Sequence, residues 1–381
     1  FRSKGEAREG ASSLYSDPVA FFRDATHPTQ GLCTILDNAL ARLTNGDLSR
    51  PAMQRLDTAF GGGKTHTLIA LAHAAMQGQP LAEHMTGIVE PERLPEPNLV
   101  QVVGIIGDTV DTLRETAGGA APKPNTLWWQ IAQQTLSSDQ QASIQARLDD
   151  ASAPASGEFF ETLFGDRPTL IIIDEIAQYL SRMEAAFPGV GAEQSAAFLM
   201  SLSTYAAGKP NVAVVLSLAS ATNAFGSFNK LIGSLKSTHG FTDAQAEAIV
   251  ADAQKSVLDV VNRTSEATTP VQEGDLSRIM AKRLFVSVDL DAAHEVASAF
   301  IETYRQAGTD LPAGANDPQL HDRLVAHYPF HPTLIEFLSE ELAQVESFQG
   351  TRGLLRTLAR AVRRIWEAKL AFPLIQTGHI D

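Results

Sequence analysis

Two short stretches carry residue types at spacings suited to phosphate chemistry. The first is Leu56-Asp57-Thr58-Ala59-Phe60-Gly61-Gly62-Gly63-Lys64-Thr65-His66-Thr67. Three consecutive glycines let backbone N–H groups turn toward one point, and a helix beginning near Lys64 would add the positive end of its dipole there. Lys64 would reach the β and γ phosphates of ATP, and the Thr65 hydroxyl would ligate Mg²⁺. Thr58 stands where the pattern G-x-x-x-x-G-K-[ST] has its first glycine. The glycines nearest the lysine give the closest backbone approach, so the substitution leaves the mechanism intact. The expected nucleotide contacts are Phe60, Gly61, Gly62, Gly63, Lys64, Thr65 and His66. A histidine in the first turn of a helix is more often packed or solvent-facing than catalytic.

The second stretch is Thr169-Leu170-Ile171-Ile172-Ile173-Asp174-Glu175, an apolar run ending in two carboxylates. A buried carboxylate must be hydrated, paired or bound to a cation. Asp174 suits the Mg²⁺ shell, and Glu175 suits the orientation of an attacking water. Ser217 and Ser220, at the end of another apolar run, would contact the γ phosphate or that water if their strand lies beside the first. A glycine-rich turn before Lys-Thr is commonplace alone, and so is an acidic helix start. Their joint occurrence favours nucleotide chemistry.

Those residues need a frame to position them, and the hydropathy pattern supplies one. Candidate strands run over Ala52–Thr58, Leu99–Ile106, Thr169–Ile173 and Asn211–Leu218, and the last three are nearly continuous in apolar residues, as strands covered on both faces should be. Helical patterns over Lys64–Gln77, Thr126–Ser137 and Gly191–Ala207 alternate with them, which predicts an α/β fold around a parallel sheet with helices on both faces. Loop signals fall at Gly118–Asn125, Ala151–Gly157 and Thr309–Pro318. From Asp275 the pattern is helical, through Leu276–Arg283, Ala292–Gln306, Thr333–Gln344 and Thr351–Lys369. The expected division is an N-terminal helical segment (1–50) packed on the core, a P-loop core (51–270) and a helical lid domain (271–381).

The chain has 381 residues and a formal charge of -14, so a global electrostatic grip on nucleic acid is not encoded. A local basic strip exists: Arg356, Arg360, Arg363 and Arg364 recur about a turn apart opposite an apolar stripe, which marks the first place to look for DNA or an acidic partner. The lone Cys33 and the lack of zinc-like spacing suit a reducing, cytoplasmic compartment. No apolar run approaches the roughly 20 residues that cross a bilayer. The chain begins without Met and stops after the apolar Ala371–Ile375, and it reads as a piece of something longer.

The strings TAFGGGKTHTL (Thr58–Leu68), TLWWQIAQ (Thr126–Gln133), LIIIDEIAQYL (Leu170–Leu180) and FQGTRGLLRTL (Phe348–Leu358) together resemble a family of large bacterial AAA-type ATPases known mainly by a domain of unknown function. Its members are typically encoded beside DNA methyltransferases and helicases in phage-defence or restriction-like loci, and are distantly similar to the ATPases of BREX-type systems. The resemblance runs from about Tyr15 (YSDPVAFF) to the end. It implies an AAA-type P-loop fold with a helical lid, an oligomer or partner subunits, ATP and Mg²⁺. It also implies two arginines by position: Arg263, acting on a neighbour's γ phosphate, and Arg352, a second sensor at the start of a lid helix. The expectation is therefore an ATPase driving conformational change in a DNA-modification or phage-defence assembly. A nucleotide-dependent interaction module that hydrolyses slowly or not at all is the alternative, and a small-molecule kinase shares the loop.

Overall fold

Apolar runs with no polar face must be covered on both sides, and the two strongest runs in this chain form the middle of a sheet. The computed structural model describes residues 13–57, 63–115, 121–218, 232–233, 236–237, 240–307, 311, 314–315, 317–343 and 350–380. The first of two compact units runs in chain order through α1 (Gln30–Asn45), β1 (Met53–Leu56), α2 (Lys64–Gln77), β2 (Gln101–Ile106), β3 (Leu113–Arg114), β4 (Lys123–Pro124), α3 (Leu127–Thr135), α4 (Gly157–Phe164), β5 (Thr169–Asp174), α5 (Ile176–Ala186), α6 (Gly191–Ala207), β6 (Val212–Ser217), α7 (Asp243–Thr264) and β7 (Glu266–Thr268). Strands β2-β5-β6-β1-β7, in that order, form a five-stranded parallel sheet. The β5 residues Thr169–Ile173 and all six of β6 are buried. Helices α1 and α2 pack on each other and on the sheet, while α6 packs against α3, α4, α5 and α7.

The four predicted β strands are found, and two strand features were missed. The edge strand β7 reads Glu-Ala-Thr and is largely exposed, so no apolar run announces it; its place comes from main-chain pairing with β1. The antiparallel pair β3-β4 places Lys123–Pro124 in a short strand where a loop signal runs from Gly118 to Asn125. Thr126 ends that loop by accepting from the Trp129 amide at 3.2 Å, an N-cap that starts α3.

Arg42, three quarters of the way along α1, is buried, a rare place for an arginine. Its guanidinium donates to main-chain carbonyls: Val212 at 3.0 Å, Arg50 at 2.8 Å, Lys209 at 2.9 Å and also Ala206. One side chain thus ties α1 to the end of α6 and to the start of β6.

The second unit contains residues 12–29 and 271–381 and is helical. Its main helices are α8 (Leu276–Leu284), α9 (Leu290–Ala307), α10 (Leu320–His327), α11 (Pro332–Ala343) and α12 (Gly350–Glu367). Met280, Phe330, Leu334, Leu354 and Leu358 are buried together in its main core. Among the described residues no helix is long and apolar enough to cross a membrane.

Replacing Arg42 by Met keeps the apolar stem and strands the carbonyls it serves. Urea unfolding is expected to lose about 2 to 3 kcal/mol, and Arg42→Lys, which cannot fork to several acceptors, should recover little of it.

Candidate functional site

Parallel register brings the carboxyl ends of the strands to one edge of the sheet. Leu56 of β1 lies opposite Ser217 of β6 and Thr268 of β7, and Ile106 of β2 lies opposite Asp174 of β5. In open α/β sheets this edge is where ligands bind. The residues that follow the strands there are Asp57, Gly107-Asp108, Glu175 and Leu218.

Helix α2 starts at Lys64, directly after Gly63. Gly63 has φ +88°, a left-handed conformation that glycine adopts without penalty. Lys64 is half-buried, and its Nζ donates to the Leu218 carbonyl at 2.6 Å. Burial lowers its pKa below the usual lysine value, while the charges of Asp174, Glu175 and Asp57 oppose that shift. The lysine thus faces three carboxylates from the ends of β1 and β5, the two strands that flank β6.

The next residue closes the link. The Thr65 hydroxyl lies 3.4 Å from Oδ2 of Asp174, and the other oxygen of that carboxylate accepts from the buried Ser217 hydroxyl. Ser217 Oγ in turn accepts the Glu175 N–H at 3.0 Å. A hydroxyl that donates to one residue and accepts from the next has no rotational freedom left, so Ser217 fixes both Asp174 and Glu175. Three segments remote in sequence meet here: the start of α2, the end of β5 and the end of β6.

Glu175 adopts φ 54°, ψ 47°, the left-handed region that a non-glycine residue occupies only when its surroundings impose it. Gly107 belongs to those surroundings. Its N–H donates to the Asp174 carbonyl at 2.8 Å, and a Cβ there would sit 2.4 Å from the Glu175 carbonyl oxygen. Arg182, on the second turn of α5, donates to the Asp108 carbonyl at 2.7 Å and closes the turn after β2 onto the helix that Glu175 opens. Burial raises the pKa of Glu175, with Asp108 and Asp174 adding to the shift; Lys64 and a hydrogen bond from Gln178 oppose it.

The geometry thus groups Lys64, Thr65, Asp174, Glu175 and Ser217. His66 is half-buried in the first turn of α2. Phe60, Gly61, Gly62 and Ser220 lie outside the described residues, as does the Arg352 side chain, whose backbone is in α12. Arg263 is exposed in the last turn of α7. Its neighbour Thr264 reaches Met53, the first residue of β1, so Arg263 stands at the edge of the sheet opposite Thr65 and Asp174 of the same chain. Gly107, Asp108 and Arg182 escaped the sequence reading. The available signal was an apolar strand, VVGII, ending in Gly-Asp just as TLIII ends in Asp-Glu.

Among the described residues no group of three or more His, Cys, Asp or Glu side chains is placed to hold a metal by itself. The Thr65 hydroxyl and Asp174 carboxylate offer two hard oxygen donors side by side. That partial set suits Mg²⁺, which usually keeps several waters and takes further ligands from substrate phosphates.

A carboxyl whose folded pKa is raised stabilises the fold below its unfolded pKa and loses that contribution as pH rises through the folded value. Ionised Glu175 therefore opposes folding at neutral pH. Glu175→Gln should melt above the wild-type chain at pH 8, and the gap should shrink as acid protonates Glu175; thermal melts across pH check this.

Matched against known protein families, residues 6–232 correspond to the DUF499 N-terminal domain and residues 271–381 to the DUF499 second domain. No curated protein and no solved structure matches the chain. With the first of these domains alone spanning more than half of its length, the chain belongs to the DUF499 family.

Proposed function

We propose that this chain binds ATP with Mg²⁺ at the carboxyl edge of its sheet and hydrolyses it. The contact of Thr65 with Asp174, held by Ser217, carries the reading, because it brings the lysine-threonine turn and the acidic strand end to one point. Strand order supports it. Strand β6 is inserted between β1, which leads into the glycine turn, and β5, which ends in Asp174-Glu175, the arrangement expected of an additional-strand, AAA-type P-loop core.

In this reading the amides around Gly63 and the ammonium of Lys64 hold the β and γ phosphates. Lys64 exchanges its bond to the Leu218 carbonyl for a phosphate oxygen. Thr65 and Asp174 would hold Mg²⁺, which when bound would offset phosphate charge. Glu175 orients a water whose oxygen attacks the γ phosphorus while the bond to the β-phosphate oxygen breaks. The proton lost by the water goes to Glu175, and ADP and phosphate leave. The raised pKa of Glu175 suits it to take that proton.

The second unit would serve as the lid, with Arg352 as its sensor. Arg263, at the far edge of its own sheet, would reach a γ phosphate only across a subunit boundary, so the reading includes a homo-oligomer. A supplied arginine is worth about 10³ to 10⁵ in rate in phosphoryl transfer. The proposed setting, a DNA-modification or phage-defence assembly, follows from the resemblance of the sequence motifs.

Phosphate release from ATP with no added acceptor is the direct measurement. Glu175→Gln should lower turnover by about 10² to 10⁴ and keep ATP affinity, read by calorimetry, whereas Lys64→Ala should lose affinity itself. Binding without any turnover in the wild-type chain would instead make it a nucleotide-set interaction module. Turnover that requires an added hydroxyl acceptor would make it a kinase.

A further inference from the structure

Helix α12 concentrates positive charge in a chain with an excess of acids. The protein carries 44 acidic against 30 basic residues, yet Gly350–Glu367 holds five arginines and a single acid, the terminal Glu367. The helix is strongly two-faced. Leu354, Leu358 and Ala361 are buried, and Leu354 and Leu358 join the core formed with Met280, Phe330 and Leu334. Arg356, Arg360, Arg363 and Arg364 are exposed on the other side. Arg363 pairs with Glu367, both largely exposed, a contact worth little in water. Among the described residues Arg356 and Arg360 have no ion-pair partner, although the chain has an excess of acids to offer.

Flanking this face, one turn after Arg363, stands Trp366, 82% exposed. A large apolar ring left in water beside guanidinium groups is costly to solvate, and it offers a flat surface for stacking. Steps of three to four residues advance about 5 to 6 Å along a helix, so Arg356, Arg360 and Arg363 form a rising row of cations rather than one cluster. All are arginine, the side chain whose planar fork matches phosphate oxygens.

We propose that the exposed face of α12 binds single-stranded nucleic acid, with Arg356, Arg360 and Arg363 on successive backbone phosphates and Trp366 stacking on a base. A row of cations tracking a backbone, together with an aromatic platform, is the combination that non-sequence-specific single-strand binders use. An acidic peptide would use the charges and leave the indole without a role. A duplex would hide its base faces from Trp366. The proposal is independent of the ATPase reading.

The test uses the whole chain and a fluorescein-labelled oligothymidylate of about 15 nucleotides, followed by anisotropy, with a duplex of equal length and polyglutamate as further arms. The single strand is expected to bind more tightly than either. The double variant Arg356→Glu/Arg360→Glu should weaken it about tenfold or more, and the neutral pair Arg356→Gln/Arg360→Gln should flatten the salt dependence by about 1.4 in log–log slope, the share of two phosphate contacts. Trp366→Ala should lose roughly tenfold in affinity, and Trp366→Phe should retain most of it. Oligothymidylate should also quench the exposed indole, a signal that Trp366→Phe removes. Unchanged melting curves would show that these surface changes leave the fold intact. The proposal is overturned by no single-strand binding at low salt, by equal binding of wild type and variants, by duplex binding as tight as single-strand binding, or by preference for polyglutamate.

Discussion

An ionised carboxylate at the end of a buried strand has to be met by donors, and the site grows out of how Asp174 meets this demand. Its strand is buried from Thr169 to Ile173, so solvent reaches it only from the sheet edge. One oxygen takes the Ser217 hydroxyl and the other faces the Thr65 hydroxyl. Each partner comes from a different element, so satisfying one charge fixes the relative placement of β5, β6 and the start of α2. Ser217 is itself buried, and its lone pair is used by the Glu175 amide. The same hydroxyl that satisfies the acid therefore also sets where the next acid begins its helix.

Glu175 shows what that placement costs. A glutamate in the left-handed region is strained by about 1 to 3 kcal/mol and persists only where neighbours over-determine it. Here the determinants are main-chain contacts: the bond to Ser217, the close approach of Gly107 and the continuation into α5. Burial and two nearby acids then disfavour its charge, while Lys64 favours it. Conformation and charge are both held away from their relaxed values at one residue.

The grouping of Lys64, Thr65, Asp174 and Ser217 at one edge was legible because two suggestive stretches occur in one chain. Two acids closing an apolar strand, and three glycines before Lys-Thr at a helix start, each violate what packing alone would choose. The long helices Lys64–Gln77 and Gly191–Ala207 were legible to the residue, since their turn residues and periodicity agree. What stayed hidden was held by the main chain or by long-range geometry. Strand β7 has no apolar signature because it is a short edge strand paired to β1. The burial of Arg42 stayed hidden because nothing local shows that carbonyls from Arg50, the end of α6 and the start of β6 converge around it. Gly107 matters for the side chain it lacks, which only the position of the Glu175 carbonyl reveals.

The placement of Arg263 separates what one chain can do from what two can. Parallel strands give the sheet two unlike edges, one receiving Asp174, Ser217 and Lys64 and the other receiving the end of α7. In the proposed ATPase, a role for Arg263 in phosphoryl transfer would come from a second copy presenting that edge to the first copy's site. Absence of an arginine effect in a monomer would say nothing against the ATPase reading, because the residues that hold Asp174 and Glu175 in place all come from a single chain.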